Sequence, residues 1–530
     1  MKKPNQTFDV IISGFGPVGS LLAIFLAKKG HQVAIFERWS ERYPLPRAVC
    51  IDHEMLRMLR TLGLDEKLNE IIHAGGSYDW VNADWKPLVQ IDWGAATISQ
   101  ESNVNFVHQP SLERILEEEI RTIPNIQLFL GYEVLDAGHE GDQAYLCAQN
   151  LETQNVQNFY AQYLVGADGA NSLIRKSITT QWVDKGFEAD WLVVDVLPHP
   201  NAEMKVTGTA AVQYCNPKRP TTVVPAGKKD GRYFRRWEFM RLPHESKEEM
   251  QTEAKAWELL KDWIEPEQAT LIRSAMYTFR SLIAEKWRNN RILIAGDAGH
   301  VMPPFMGQGM CAGFRDAWNL SWKLDGILSG HFNADILDTY TAERKPHVSD
   351  VIDLSMYMGR IICVPDEQQA QKRDESFFNG TAEPMPEFPV LTEGLISKTE
   401  KLNNLAGHLA PHGIFQWNNQ EIRLDELVNQ QFVLITHGSV KLTSDHKTLL
   451  EQLNAKHISL HKDTELEVKE YLEKDDNIAK FMQEHQIEAM LVRPDFYIYG
   501  TTAQSEDAGK LLDNISEDLA KYSIDNVAVC

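Results

Sequence analysis

The sequence predicts a chain of mixed α/β and α+β class, in which a parallel-stranded domain is interrupted by an antiparallel sheet and followed by a separate C-terminal unit. Three observations predict this organisation. Residues 8–37 pass from a short apolar strand through a glycine-rich turn and an apolar helix to a second strand. Residues 190–280 contain several segments that alternate polar and apolar side chains, which is typical of antiparallel strands. After residue 365 a polar stretch precedes a final set of predicted strands and helices.

Composition excludes several classes of function. A chain of 530 residues is long enough for two or three domains, and 43% hydrophobic and 24% charged residues are typical of a soluble protein. The net charge of −22 disfavours binding to nucleic acid or to an anionic membrane, because both need basic patches. No signal-peptide pattern and no apolar run of about 18 residues is present. We therefore expect a soluble, cytoplasmic protein.

Six cysteines are scattered along the chain without a CxxC pair. This pattern predicts free, mostly buried thiols in a reducing compartment, with no disulfide and no metal site. They stand at positions 50, 147, 215, 311, 363 and 530.

The first strand, turn and helix carry the pattern Gly14-x-Gly16-x-x-Gly19 between residues 8–13 and a helix that ends near Gly30. This context predicts a Rossmann-like unit in which Gly14 permits the turn, Gly16 admits a pyrophosphate and Gly19 lets the helix pack closely. Glu37 ends the next strand, where a carboxylate binds ribose hydroxyls. The neighbouring Pro17 and Arg38 are also predicted to contact the dinucleotide. A second such fingerprint is missing, so a nicotinamide would dock only transiently.

Two later segments complete the predicted site. Asp297 follows the strand 291–295 and Gly296, so its carboxylate should lie at the carboxyl edge of the sheet and bind ribityl hydroxyls. Pro303 and Pro304 fix a bend there. Gly307, Gly309 and Met310 begin the next helix, where backbone N–H groups can stabilise negative charge on a flavin ring. The other segment is Gly166-Ala-Asp168-Gly169, which alone would predict only a capped turn; with the other two it indicates bound FAD.

The remaining elements are assigned by pattern. Helices are predicted near 53–62 and 111–123, the second with Ser111 as its N-cap, and residues 126–165 as strands. Residues 1–185 and 285–365 form the predicted FAD-binding domain, and residues 186–284 the inserted antiparallel-sheet substrate domain. Residues 366–405 are a predicted polar linker, and residues 406–530 a further domain.

These segments resemble the single-component aromatic flavoprotein monooxygenases of the para-hydroxybenzoate hydroxylase type. The loop Pro44-Leu-Pro-Arg47 resembles the one that carries an arginine beside the flavin, and Gln109 matches a glutamine that contacts the cofactor. The residues 236–240 and the C-terminal unit are most similar to the branch that contains the 3-(3-hydroxyphenyl)propionate, phenol and polyketide hydroxylases. That branch has a thioredoxin-like C-terminal domain; without a CxxC pair, no redox role is expected for it here.

The resemblance implies an enzyme that uses NADH or NADPH to reduce FAD, after which O₂ gives a C4a-hydroperoxyflavin that hydroxylates an activated phenol. A substrate such as 3-(3-hydroxyphenyl)propionate is implied, with Arg47, Asp168 and Pro303 as catalytic candidates. Two alternatives stay open: oxygenation of a larger polyketide-like or tetracycline-like compound, and a flavin-binding sensor without turnover. A homodimer is possible.

Residues of the substrate pocket are harder to predict. Trp237 and Phe239 alternate on one strand face and could line the pocket, and Tyr214 or Tyr277 could bind a phenol. An arginine could pair with a substrate carboxylate, and His300 could polarise the site. Core packing explains several of these residues equally well, as it does Cys311. The arginine candidates are Arg235, Arg236 and Arg241.

Overall fold

The computed structural model describes residues 7–42, 45–402, 404–417, 420–438, 440–460 and 472–523. Within these ranges the first sheet has eight strands. Five of them run parallel, in the spatial order Ile292–Ile294, Val156–Gly166, Thr7–Ser13, Val33–Glu37 and Ile126–Leu130. Arg288–Asn289 adds an antiparallel edge, and the hairpin of Tyr132–Glu140 and Gln143–Asn150 pairs with Val156–Gly166.

The predicted strand–helix–strand unit at the start of the chain is confirmed. Strand Thr7–Ser13 leads into helix Pro17–Lys28, and the chain returns as Val33–Glu37. Gly30 has a φ of +99°, a conformation that favours glycine just after a helix. The strand and the helix are both almost wholly buried, which explains why their side chains are apolar on every face. The other helices of this domain are His53–Arg60, Asp65–Ile71, Gln109–Thr122, Leu173–Ser177, Gln308–Leu328 and Leu337–Ile362.

The helix predicted at 111–123 begins earlier, at Gln109, so Ser111 is not its N-cap. Pro110 occupies the first turn, where its missing N–H costs nothing. The Ser111 hydroxyl instead pairs with the ring Nδ1 of His108 at 2.8 Å. The proline thus marks the helix start more reliably than the serine that follows it.

The second sheet also has eight strands among the described residues, all antiparallel except one pair. It includes Ser77–Val81 and Pro87–Asp92, which the sequence places in the FAD-binding domain. The inserted region therefore does not form this sheet by itself. Two strands at one edge of the sheet, Ser77–Val81 and Pro87–Asp92, come from an earlier part of the chain. In spatial order the strands are His300–Val301, Ala269–Ala284, Trp182–Pro198, Arg232–Met240, Thr221–Lys229, Ala211–Tyr214, Ser77–Val81 and Pro87–Asp92. Short helices Lys247–Met250 and Glu253–Leu260 accompany it, and Cys50–Asp52, Val104–Val107 and Ile72–Ala74 form a small antiparallel sheet between the two.

The predicted linker begins with a helix, Glu367–Phe378, where no secondary structure was expected. The Asp366 carboxylate caps it by accepting a hydrogen bond from the Gln369 N–H at 2.8 Å. Its polar sequence reflects exposure, because only Ala370 of this helix is buried. The described residues between Asn379 and strand Ile414–Trp417 are irregular.

The C-terminal unit is built on a mixed sheet with helices on both faces. Its strands, in spatial order, are Lys456–Ser459, Val433–Thr436, Ala489–Val492 and Ile498–Thr502. Helices Ser444–Gln452 and Ala508–Ala520 pack on one face, and Leu424–Val428 and Asn477–Glu484 on the other. A small sheet of Gln420–Arg423, Ile414–Trp417 and Leu472–Glu473 lies beside it. The thioredoxin-like character of this unit stays a prediction, and Cys530 lies outside the described residues.

Buried charges join the C-terminal unit to the first domain. Arg493 donates to Glu343 at 2.7 Å and to Asp495 at 2.6 Å. Lys323, on helix Gln308–Leu328, donates to the same Glu343 oxygen at 2.6 Å. Burial alone would raise the pKa of Glu343, but Arg493 and Lys323 lower it below its ordinary value. The interface therefore holds an ionised carboxylate that depends on its two cations.

Replacing Arg493 by Met should destabilise the protein by about 3–5 kcal/mol, because it removes one partner from a buried ion pair. The free energy of unfolding in urea measures the effect. Arg280→Met is the matched control: Arg280 and its partner Glu188 are 53% and 62% exposed, and the loss should stay below about 1 kcal/mol. Equal losses in the two variants would contradict the role of the buried network.

Candidate active site

A cleft of about 1100 Å³ opens between the first and second sheets. One wall lies at the carboxyl ends of strands Thr7–Ser13, Val33–Glu37 and Val156–Gly166, where open α/β sheets bind ligands. The other wall is formed by strands Thr221–Lys229 and Arg232–Met240. Thirteen predicted site residues line this cleft: Gly14, Gly16, Pro17, Glu37, Arg38, Arg47, Gln109, Asp168, Asp297, Pro304, Gly307, Gly309 and Met310.

The glycine-rich turn leaves room for a ligand at one position only. A Cβ on Gly14 would lie 2.3 Å from the carbonyl oxygen of Ala167, and one on Gly19 would lie 2.2 Å from that of Gly14. A Cβ on Gly16 would meet nothing within 4 Å, because this residue faces the cleft. Helix Pro17–Lys28 starts here without a side-chain cap and without an acidic residue in its first turn. Its free N–H groups and dipole are suited to an anion such as a pyrophosphate.

Glu37 organises the turn as well as facing the cleft. Its carboxylate accepts hydrogen bonds from the N–H groups of Phe15 and Trp39, both at 3.1 Å. Arg42, which sequence patterns did not indicate, lies over the Phe15 ring at 3.8 Å and donates to the Phe15 carbonyl at 3.1 Å. Glu117 holds its guanidinium in place at 2.7 Å. Arg38, Arg42 and Arg47 all follow the second strand, and the sequence alone does not distinguish their roles.

The Asp297 side chain is exposed to the cleft and has no hydrogen-bond partner among the described residues. Desolvation by the surrounding protein raises its pKa, and electrostatic interactions with His300 and Arg47 offset this only in part. A carboxylate in this position is stabilised when a ligand supplies hydroxyl donors. The preceding Gly296 does not line the cleft; it adopts a φ of +61° and packs against Val18.

Asp316 holds this loop in place and was not singled out from sequence. Its buried carboxylate accepts from the Gly296 N–H at 2.9 Å, from His300 at 2.7 Å and from Arg344 at 3.0 Å. Burial would raise its pKa, but His300 and Arg344 lower it below the usual value. His300 therefore positions the loop through Asp316 and does not line the cleft.

The helix Gln308–Leu328 points its first turn at the cleft. Gly307 precedes it with a φ of +66°, and a Cβ there would come within 2.4 Å of the Cys50 sulfur. Arg315 fixes the helix start by donating to Gln308 at 3.0 Å, Asp52 at 2.6 Å and Glu54 at 2.7 Å. No side chain caps this turn, so its N–H groups remain available to a ligand.

Proline and glycine shape the approach to that helix. Pro304 lines the cleft, whereas Pro303 lies behind it and its carbonyl accepts from the Ser355 hydroxyl at 2.7 Å. Gly309 faces open space, since a Cβ there would meet nothing within 4 Å. Cys311 is buried in the core of the first domain, as core packing predicts.

Two side chains clamp the backbone of the Arg47 loop. The Gln109 amide oxygen accepts from the N–H groups of Arg47 at 2.9 Å and Ala48 at 2.5 Å. Arg236, from the second sheet, donates to the carbonyls of Arg47 at 2.6 Å and Pro46 at 3.1 Å. The loop is thereby tied to both walls of the cleft. Pro44 of the same motif lies outside the described residues.

Asp168 caps a turn and also lines the cleft. Its carboxylate accepts from the N–H groups of Leu173 at 2.8 Å and Ile174 at 3.3 Å and from the Ser172 hydroxyl at 2.5 Å. Burial raises its pKa despite these donors. Because one side of the residue also lines the cleft, the cap places it within reach of a bound ligand.

The predicted substrate residues Trp237, Phe239 and Tyr214 do not line the cleft. Trp237 and Phe239 point to the opposite face of their strand and pack in the core of the inserted region. Tyr214 stacks on Trp85 at 5.1 Å and donates to the Ala83 carbonyl at 3.0 Å. Strand alternation instead turns the neighbours Arg236 and Glu238 into the cleft, together with Thr222 and Val224.

The other polar candidates are engaged in structural contacts. Arg235 donates to the carbonyls of Ala210 and Val206, at 2.8 and 2.9 Å, and Arg241 to Asp190 at 2.8 Å. The Tyr277 hydroxyl accepts from Arg273. In the described ranges no cluster of His, Cys, Asp or Glu is arranged to hold a metal ion, and no helix is apolar and long enough to cross a membrane.

Comparison with known proteins identifies the class. The model of the FAD binding domain family matches residues 7–355, and that of the HcaD C-terminal domain matches residues 407–518. The chain belongs to the FAD binding domain family of flavin-dependent aromatic hydroxylases. It is an FAD-dependent monooxygenase, with FAD as cofactor.

Individual relatives cover nearly the whole chain. A probable NADH-specific resorcinol 4-hydroxylase from Rhodococcus jostii (strain RHA1) is 32% identical over 515 residues, which cover 96% of this chain and 94% of the relative. A 3-(3-hydroxy-phenyl)propionate/3-hydroxycinnamic acid hydroxylase from Escherichia coli O139:H28 (strain E24377A / ETEC) is 26% identical, covering 99% and 98%. The solved structure of aklavinone-11 hydroxylase with FAD and aklavinone has the same fold, with a TM-score of 0.76, 20% identity and coverage of 97% and 99%.

Replacing Asp297 by Ala should lower the affinity for FAD roughly ten- to a hundred-fold, because it removes charge-assisted hydrogen bonds to the ligand. The ratio of bound FAD to purified protein, from absorbance, measures this loss. Asp338→Ala is the control, since Asp338 is 74% exposed on the surface. Stoichiometric FAD in the Asp297 variant would rule out a ribityl contact.

Proposed function

We propose that this enzyme hydroxylates a small, single-ring phenol with NADH as reductant and O₂ as oxidant. The observation that carries this proposal is a cleft that joins the predicted dinucleotide-binding edge to a chamber lined by aromatic side chains. Tyr78, Trp93 and Phe106 line that chamber, with the Tyr78 and Trp93 rings stacked at 4.0 Å. Drug-sized ligands occupy cavities of roughly 300–1,000 Å³, and this cleft of about 1100 Å³ must hold FAD as well as the substrate, which favours a small substrate.

The residues of the first wall fit FAD. The open position at Gly16 and the free start of helix Pro17–Lys28 suit the pyrophosphate, and Glu37 suits the ribose. Asp297, which has no hydrogen-bond partner among the described residues, suits the ribityl chain. FAD when bound supplies the oxygen-activating chemistry that no side chain provides. The start of helix Gln308–Leu328 would stabilise negative charge on the ring edge. Arg47 adds a positive charge beside Asp297.

The chamber supplies orientation and exclusion of water. Its wall of Val104, Phe106, Val224 and Phe305 is largely apolar, which would keep the reacting atoms away from solvent. The two relatives that act on single-ring phenols by name support this substrate class, and the name of the first supports NADH. Resorcinol and 3-(3-hydroxyphenyl)propionate are therefore the first candidates; larger polyketide-like compounds and a non-catalytic sensor are not favoured.

The test is the rate of flavin bleaching in anaerobic stopped flow, with NADH or NADPH, with and without each phenol. We expect a small phenol to accelerate bleaching with NADH and to gain one oxygen atom when air is admitted, as measured by mass spectrometry. Acceleration only by a multi-ring substrate, or hydrogen peroxide without hydroxylated product from every phenol, would contradict the proposal.

Replacing Arg47 by Ala should slow flavin reduction at least ten-fold while FAD content falls less, because the loop backbone stays held by Gln109 and Arg236. Stopped-flow reduction and the FAD-to-protein ratio separate the two effects. Arg114→Ala, at a residue 60% exposed, is the control. Unchanged reduction kinetics would remove Arg47 from the reacting site.

A further inference from the structure

The proposed function gives no role to one acidic side chain that lines the cleft, that of Glu238. Glu238 lies on strand Arg232–Met240, is 8% exposed and lines the cleft. No donor among the described residues makes a hydrogen bond to its carboxylate. Buried polar groups are normally paired, so a buried, unpaired carboxylate that faces a cavity indicates a partner supplied by the ligand.

The nearest cation does not satisfy Glu238. Nη1 of Arg236 lies 3.9 Å from its Oε1, beyond hydrogen-bond distance. Arg236 directs its N–H groups to Asp195, at 2.7 and 3.0 Å, and to the carbonyls of Pro46 and Arg47. Burial raises the pKa of Glu238, and the charge of Arg236 offsets this only in part. A hydrogen bond donated by a ligand would therefore stabilise the ionised form of Glu238.

Glu238 lines the same cleft as the aromatic side chains of the chamber, Tyr78, Trp93 and Phe106. The Tyr78 and Trp93 rings stack at 4.0 Å and offer a flat apolar surface to a substrate ring. A substrate ring bound among these side chains therefore shares the cleft with the Glu238 carboxylate.

The cations around Glu238 are committed to other groups. Arg236 and Arg273 converge on the fully buried Asp195, at 2.7 and 3.1 Å. Arg235 is held by backbone carbonyls. A ligand carboxylate beside Glu238 would be repelled by its charge, and the N–H groups of these guanidiniums already serve protein acceptors.

We propose that Glu238 accepts a hydrogen bond from a ring hydroxyl of the substrate, so that the chamber selects an uncharged, polyhydroxylated ring over a phenol that carries a carboxylate. This inference rests on the proposed function and names the substrate class for the same site. A hydrogen bond to a charged acceptor contributes about 1.5–3 kcal/mol, which corresponds to roughly ten- to a hundred-fold in binding. A site built to bind a hydroxyl also discriminates strongly against analogues that lack it.

The experiment compares three probes: resorcinol, its monomethyl ether 3-methoxyphenol, and 3-(3-hydroxyphenyl)propionate. Dissociation constants come from the change in flavin absorbance, and kcat/KM from hydroxylated product. In the unmodified enzyme, resorcinol should exceed each of the other two at least ten-fold in kcat/KM. This measurement does not depend on the folding of any variant.

Glu238→Gln keeps the shape but removes the charge, so it should lower kcat/KM for resorcinol at least ten-fold and narrow the gap to the other two probes. Glu238→Asp should recover part of the preference. Glu188→Gln is the matched control, because Glu188 lies on a neighbouring strand and is 62% exposed. Its kcat/KM for each probe should equal that of the unmodified enzyme. FAD content verifies that each variant is folded.

Two results would overturn the inference while leaving the proposed function intact. One is a preference of the unmodified enzyme for the carboxylated phenol. The other is a Glu238→Gln variant that retains FAD and hydroxylates all three probes as the unmodified enzyme does. Absence of hydroxylation of any phenol by the unmodified enzyme would overturn both proposals, so the two failures are distinguishable.

Discussion

The arrangement of the cleft depends on one buried carboxylate, that of Asp316. It accepts hydrogen bonds from the backbone of Gly296, from His300 and from Arg344, all within 3.0 Å. An ionised carboxylate in this position would cost several kcal/mol without these partners. Because Gly296 directly precedes Asp297, the same bonds fix the carboxylate that faces the ligand. The position of Asp297 in the cleft therefore depends on the buried contacts that Asp316 makes with His300 and Arg344.

The helix that carries Asp316, Gln308–Leu328, is also linked to the C-terminal unit by side-chain contacts. Arg315 binds one oxygen of Glu54, and the Tyr497 hydroxyl of the C-terminal unit donates to the other at 3.0 Å. Further along the helix, Lys323 shares Glu343 with Arg493. No described residue of that unit lines the cleft. Its contacts hold the helix whose first turn faces the cleft.

The two walls of the cleft are joined by side chains that are easily mistaken for ligand contacts. Arg236 lines the cleft, yet its donors reach Asp195 and the backbone of the Arg47 loop. Gln109 likewise uses its amide oxygen for that loop. Such bonds rigidify the cleft and, among the described residues, leave the carboxylates of Asp297 and Glu238 with unused acceptors, which is why the proposed ligand contacts fall on these two groups.

The sequence by itself determined the first sheet, its glycine turn and the cofactor edge, because these follow from local chemistry. Gly14 and Gly307 adopt backbone conformations that favour glycine, and Glu37 and Asp297 follow buried strands directly. Periodicity also predicted the inserted strands. It could not tell which face of Arg232–Met240 would meet the cleft, since Trp237 and Glu238 are both compatible with burial.

Only the tertiary structure decided that question, by packing helix Glu253–Leu260 against the tryptophan face and leaving Glu238 on the face that lines the cleft. It also brought Ser77–Val81 into the second sheet and joined Asp316, Arg344 and His300 around one loop. These contacts connect residues far apart in the chain. Their energies depend on which partner is present when each group is buried, and local sequence does not contain that information.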